Sequence, residues 1–170
     1  MELPRRPSTW SFSTRGLTAD GYARALRGLL ERGTLPMEPL PGYAPQVDIL
    51  RWAIEDIGVL VANLAGVRHF ATSNVKEFRD DIFVSVNLAG HCVVTQGRKE
   101  LPMQSGEAVL FSSAEADFAA VRATPMEFLG LRLPYRALAP LARNLDDTLM
   151  RVVPVSETPM PHCNDHFERV

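Results

Sequence analysis

A chain of 170 residues with 46% apolar and 22% charged side chains has the material for one domain with a real core, and too little polarity for wholesale disorder. Its net charge of −2 excludes a nucleic-acid surface spread over the whole domain, though not a local basic patch. After the basic start Met1–Pro7 there is no apolar run of signal-peptide length, and no segment of about twenty apolar residues that could span a bilayer, so the expected compartment is the cytoplasm and no membrane contact is expected.

Residues 1–17 hold two prolines and several hydroxyl residues around Trp10-Ser11-Phe12, and read as an extended lead whose aromatics pin it to the domain. A helix is predicted over 18–32. Thr18 is placed to cap it, Asp20 complements its dipole, Tyr22, Leu26, Leu29 and Leu30 share one face, and Gly33 closes it. Pro36, Pro39, Pro41 and Pro45 then make a connector without regular structure.

Strand patterning runs from 47 to 133. Val47–Ile54 alternates, with Asp48, Leu50, Trp52 and Ile54 on one face and Val47, Ile49, Arg51 and Ala53 on the other. Asp56-Ile57-Gly58 reads as a turn, Val59–Leu64 as a strand buried on both faces, Val67–Thr72 as a further strand, and Ser73–Asp80 as a solvated loop. The stretch Asp81–Ser113 is the densest: Asp81–Leu88, His91–Thr95, Arg98–Leu101 and Glu107–Phe111 are short strands separated by Gly90, Gln96-Gly97 and Gln104-Ser105-Gly106. Four strands in so short a span, joined by tight turns, predict an antiparallel sandwich or barrel. Asp117–Ala123 and Met126–Leu133 complete the series around Thr124-Pro125. Pro134 opens a helical segment over 134–149 that Pro140 splits into two short helices, and 155–170 reads as a flexible polar tail.

Gly90, then Gln96-Gly97-Arg98, then Gly106-Glu107-Ala108-Val109-Leu110-Phe111, in that order, resemble the glycine-punctuated core of the cupin-like sensing domain of AraC-type transcriptional regulators. The similarity extends over roughly Ser13 to Pro154. It implies a mainly β fold, a cupin-like antiparallel β-barrel of the double-sheet jelly-roll type with an N-terminal helix and short C-terminal helices, spanning 18–154. It also implies a small-molecule effector, a homodimer, and DNA contact made only through a C-terminal helix-turn-helix domain. Nothing after Leu149 has the length, period or basic charge of such a domain, so this chain is expected to be the sensing or oligomerising part, without nucleic-acid contact of its own. The alternative is a free-standing cupin-like enzyme or small-molecule binder.

Neither a catalytic site nor a cofactor is expected. A metal cupin needs two histidines one residue apart, an acid shortly after and a third histidine later; here His69 and His91 sit on separate strands and no histidine falls between Cys92 and Pro161. His162-Cys163-Asn164-Asp165-His166 is one cluster without a second to complete a zinc site, and reads as polar tail. Cys92 reads as a small core residue and no disulfide to Cys163 is expected. No nucleophile elbow and no phosphate loop is present.

Polar side chains that point into a small barrel must pair with each other or with a ligand. Ser85 and Asn87 share a face of the central strand, and Glu127 shares one with Leu129, Leu131 and Leu133 on the last. The resemblance implies that inward faces of these strands line the effector pocket, which makes Ser85, Asn87, Glu127 and Leu129 candidate ligand contacts, joined by Arg51, Trp52 and His69. The same alternation also fits Ser85 and Asn87 on an outer, solvated face, and Trp52 in the core.

Overall fold

The computed structural model describes residues 8–29, 36–70, 81–112, 117–141 and 144–155. Among these residues twelve strands form two antiparallel sheets. The larger has the order β1 (Ser8–Ser13), β3 (Gln46–Ile54), β4 (Ile57–Ala65), β11 (Met126–Pro134), β6 (Asp81–Ala89), β9 (Glu107–Ser112), β12 (Val152–Pro154). The smaller runs β2 (Met37–Pro39), β5 (Val67–Phe70), β10 (Phe118–Arg122), β7 (Cys92–Gln96), β8 (Lys99–Met103). Their facing sides enclose a core that includes Val47, Ile49, Leu64, Val67, Val94, Met103, Val109 and Phe111. This is the mainly β, cupin-like double-sheet arrangement that the sequence predicts.

The chain alternates between sheets, and this is where tight turns and observed connections part company. Only β7 and β8 within the central stretch form a hairpin, with Gln96 opposite Lys99 across Gly97-Arg98. At Gly90 the chain instead crosses from the larger sheet to the smaller. Gly90 has φ +83°, and a Cβ there would lie 2.5 Å from the Pro125 carbonyl oxygen, so only glycine fits this corner. Asn87 braces it by donating from Nδ2 to the Gly90 carbonyl at 2.9 Å.

Several elements differ from expectation. The N-terminal lead is an edge strand: β1 pairs with β3 from Ser8↔Ala53 to Ser13↔Asp48, and Trp10 and Phe12 pack on the core. Its end is fixed where Thr14 exchanges bonds with Val47, the Val47 amide donating to the Thr14 hydroxyl at 2.9 Å. The proline-rich connector contributes β2, tolerated because it is a sheet edge where a missing N–H costs nothing. The first hairpin turns at Glu55-Asp56, one residue earlier than read, which leaves Ile57 and Gly58 inside β4. Val152–Pro154, read as the end of the structured part, adds β12 beside β9.

Helix α1 (Ala19–Arg27) follows Thr18 at its N-cap and ends at Gly28, with Leu26 and Leu29 fully buried. Pro134 precedes α2 (Tyr135–Leu138), and α3 (Leu145–Thr148) follows, so the segment does split in two. Leu145 and Leu149 bury against Ile82, with Leu110 and Leu138 packed alongside, and so cover one end of the larger sheet's outer face. Gly33, the 73–80 loop and the tail with Cys163 and its flanking histidines lie outside the described residues.

Candidate ligand cavity between the sheets

Strand register sets out the cavity row by row. On the larger sheet, Arg51, Leu60, Gly130 and Ser85 are successive cross-strand partners on β3, β4, β11 and β6. The next row holds Gly58, Arg132, Phe83 and Phe111, and on the other side of the first row lie Ala62, Phe128 and Asn87. On the facing sheet, His69, Ala120 and Val94 form one row, with Phe118 and Arg122 in phase with Ala120 along β10. Most of these side chains line one cavity of about 80 Å³.

Its apolar wall is a column of phenyl rings. Phe83 stacks on Phe111 with centroids 5.2 Å apart, and Phe111 stacks on Phe118 at 3.9 Å, so the column reaches from one sheet to the other. Gly58 and Gly130 are strand glycines without a turn to make, and their role is space. A Cβ on Gly58 would meet Arg132 at 3.3 Å and the Arg51 guanidinium at 3.8 Å; one on Gly130 would meet Phe128 at 3.4 Å and Leu60 at 3.7 Å.

Cationic side chains face the cavity from two ends. At one end, Arg132 pairs with Asp81 at 3.6 Å. Burial, and then repulsion from Arg132, lower the pKa of the neighbouring Arg51. At the other end, about 13 Å away along β11 from Arg132 to Phe128, Arg122 is 3% exposed. Its Nη1 donates to His69 Nδ1 at 2.7 Å and to the Ala120 carbonyl at 3.3 Å, and its guanidinium carbon lies 4.6 Å from the centre of the Phe128 ring. Its Nε is buried without a hydrogen-bond partner.

Burial pulls the Arg122 pKa down to about 10, with the nearby Cys92 thiol acting weakly in the opposite sense. The side chain therefore remains a cation at neutral pH. His69 is held well below the ordinary imidazole range, first by burial and then by the Arg122 cation. It is neutral, and because Nδ1 accepts from an arginine, its proton sits on Nε2. Burial raises the pKa of Cys92, which stays a thiol.

Of the residues singled out in the sequence, Arg51, His69 and Ser85 line the cavity. Asn87 is on the same face and fully buried; its Nδ2 is spent on the Gly90 corner, while its Oδ1 has no hydrogen-bond partner. Trp52, Glu127 and Leu129 lie on the opposite face of the sheet, since their neighbours Arg51 and Phe128 point inward and the side-chain period is two. The phase of β11 is hard to read because its outer face is also apolar: Leu129 is flanked there by Val61 and Val86. Sequence reasoning missed Arg122, Arg132, Phe128 and the phenyl column. The available signal was phase: Phe118, Ala120 and Arg122 alternate on β10, as do Phe128, Gly130 and Arg132 on β11, each placing an arginine in step with apolar or small residues.

The donors do not fit a cupin-type metal. His69 has its Nδ1 occupied by a cation, and among the described residues no group of three His, Cys, Asp or Glu side chains is placed to hold an ion. Among the same residues, no helix is long and apolar enough to cross a membrane.

The two sheets, their crossover order and the cavity between them define a cupin-like domain with an interior cavity. Among solved structures, the chain is similar to the AraC-like transcriptional activator CuxR, with a TM-score of 0.69 and 14% identity over 85% of this chain and 54% of that one. The chain thus spans about half of that activator's length. A cupin-2 domain of an XRE family transcriptional regulator from Enterobacter cloacae (TM-score 0.40, 15% identity, 58% of this chain and 95% of that one) and a cupin-2 protein from Shewanella frigidimarina (TM-score 0.37, 12% identity, 54% and 80%) are more distant. No protein-family model and no curated protein matches the chain.

Proposed function

We propose that this chain is the effector-binding domain of an AraC-type transcriptional regulator, a non-enzymatic sensor that binds a small organic molecule between its two sheets and passes that state to a DNA-binding domain. The observation that carries the reading is the cavity itself: an apolar, phenyl-lined interior with a few buried polar groups is what a binding site for a small molecule needs. The likeness to an AraC-like activator over most of this chain supports the regulatory setting. A non-catalytic role is supported by the lining, which among the described residues offers no carboxylate and one imidazole, tied to Arg122. Homodimerisation, a cytoplasmic location and the absence of direct DNA contact belong to the same proposal.

The test is a metabolite library screened by thermal shift against the wild-type chain and Gly130→Leu, which plugs the cavity from its floor. A ligand that binds only the folded state raises its melting temperature. The expected result is a small set of compounds that stabilise the wild type and not the plugged variant. Compounds that stabilise both equally, or a library that stabilises neither, would overturn the reading.

A further inference from the structure

We propose that the ligand is a compact organic acid, whose carboxylate is held by Arg122 and His69 while its apolar body lies against the phenyl column. This deepens the reading of the cavity as a sensing pocket and rests on it.

A guanidinium taken out of water is costly unless an anion and hydrogen bonds replace its hydration. Around Arg122 the described residues supply a neutral imidazole, one carbonyl and an aromatic face, and no carboxylate. Both of its hydrogen bonds leave from Nη1, and Nε has no partner. The Nε side of the fork is an edge that a carboxylate engages with two parallel bonds. His69 lines the same cavity and carries its proton on Nε2, which makes it a second, uncharged donor.

The rest of the lining points the same way. Among the described residues its polar side chains are three arginines, one histidine and Ser85, so acceptors are scarce there and donors abundant. A sugar presents many hydroxyls, each with a proton that needs an acceptor, and would leave several of them unsatisfied here. A carboxylate brings acceptors only, and brings the missing charge. The cavity volume of about 80 Å³ holds on the order of half a dozen water-sized positions. That accommodates an acid of benzoate or hexanoate size.

The experiment is isothermal titration of the chain with benzoate, phenylacetate and hexanoate, against the matching amides and glucose. Wild type should bind at least one acid with sub-millimolar affinity and the corresponding amide at least about tenfold more weakly. Arg122→Met should lose roughly 10- to 150-fold in affinity for that acid, the range for a charge-assisted hydrogen bond. Arg122→Lys, which keeps the charge but not the fork, should lose less. Circular dichroism checks that each variant is folded, and the acid-against-amide comparison needs no variant at all. Amides or glucose binding as well as the acids, with Gly130→Leu abolishing it, would overturn the acid assignment and leave the sensing pocket standing. If none of the acids binds, the assignment is wrong; if the metabolite screen is also silent, the pocket reading fails with it.

Discussion

Acidification should weaken this fold through His69, in an amount that can be worked out. In the unfolded chain His69 titrates near its ordinary value of about 6.5. In the folded chain it is held well below that, because burial and the Arg122 cation disfavour its charged form. Protonated, it would also present N–H to N–H across the 2.7 Å contact with Arg122. The unfolded state therefore binds the proton that the folded state refuses, and stability falls as pH drops below about 6.5. Above that pH neither state binds it and the contribution vanishes. One proton is worth about 1.4 kcal/mol per pH unit, so the loss is about 1.4 kcal/mol at pH 5.5 while the folded imidazole remains neutral. Other groups contribute to the wild-type curve, so the measurement is a difference. Urea midpoints for wild type and His69→Gln, taken at about pH 7.5 and 5.5, isolate the term, since Gln keeps an acceptor for Arg122 and cannot titrate. The wild type should lose about 1.4 kcal/mol more than the variant. Equal losses in the two proteins would refute both the neutral state of His69 and its bond from Arg122.

Gly90→Ala and Gly106→Ala meet nearly the same backbone, φ +83° and +82°, but only Gly90 also faces the Pro125 carbonyl, whereas Gly106 faces open space. Gly106→Ala should cost about 1–2 kcal/mol and Gly90→Ala clearly more, as read from denaturant midpoints. Phe111→Ala removes the middle ring of the phenyl column and should cost about 3–5 kcal/mol, measured in the same way.

Much of the fold is legible because its signals are local. Alternation marks the strands, Pro140 splits the C-terminal helices, and glycines mark the places where the chain reverses. Glycine alone does not say whether a reversal is a hairpin or a corner: Gly97 makes the one and Gly90 the other, and the difference lies in Pro125, far along the chain. Edge strands are faint for a related reason. β1, β2 and β12 pair on one side only, so hydroxyl residues and prolines that would be excluded from a central strand are allowed there.

The candidate site was half visible. Arg51, His69 and Ser85 stand out as polar residues on strand faces, and the cavity holds all three. Glu127 and Leu129 belong to a face of β11 whose phase puts Leu129 on the outside of the sheet, beside Val61 and Val86. Arg122 is invisible without its partner, since its meaning comes from the contact with His69, 53 residues earlier in sequence. Gly130, a strand glycine with no turn to make, is the sequence feature that most directly marked the cavity floor, whereas Gly58 reads as part of a turn.

Arg122 is the side chain that a bound acid must touch, and side-chain nitrogen spectra of ¹⁵N-arginine-labelled protein observe it directly. Titration with the tightest-binding acid should shift the Nε–H signal of Arg122, assigned by its loss in Arg122→Lys, and leave that of the exposed turn residue Arg98 in place. A titration that moves Arg98 and other surface arginines while the Arg122 signal stays fixed would contradict the claim that the acid binds between the sheets.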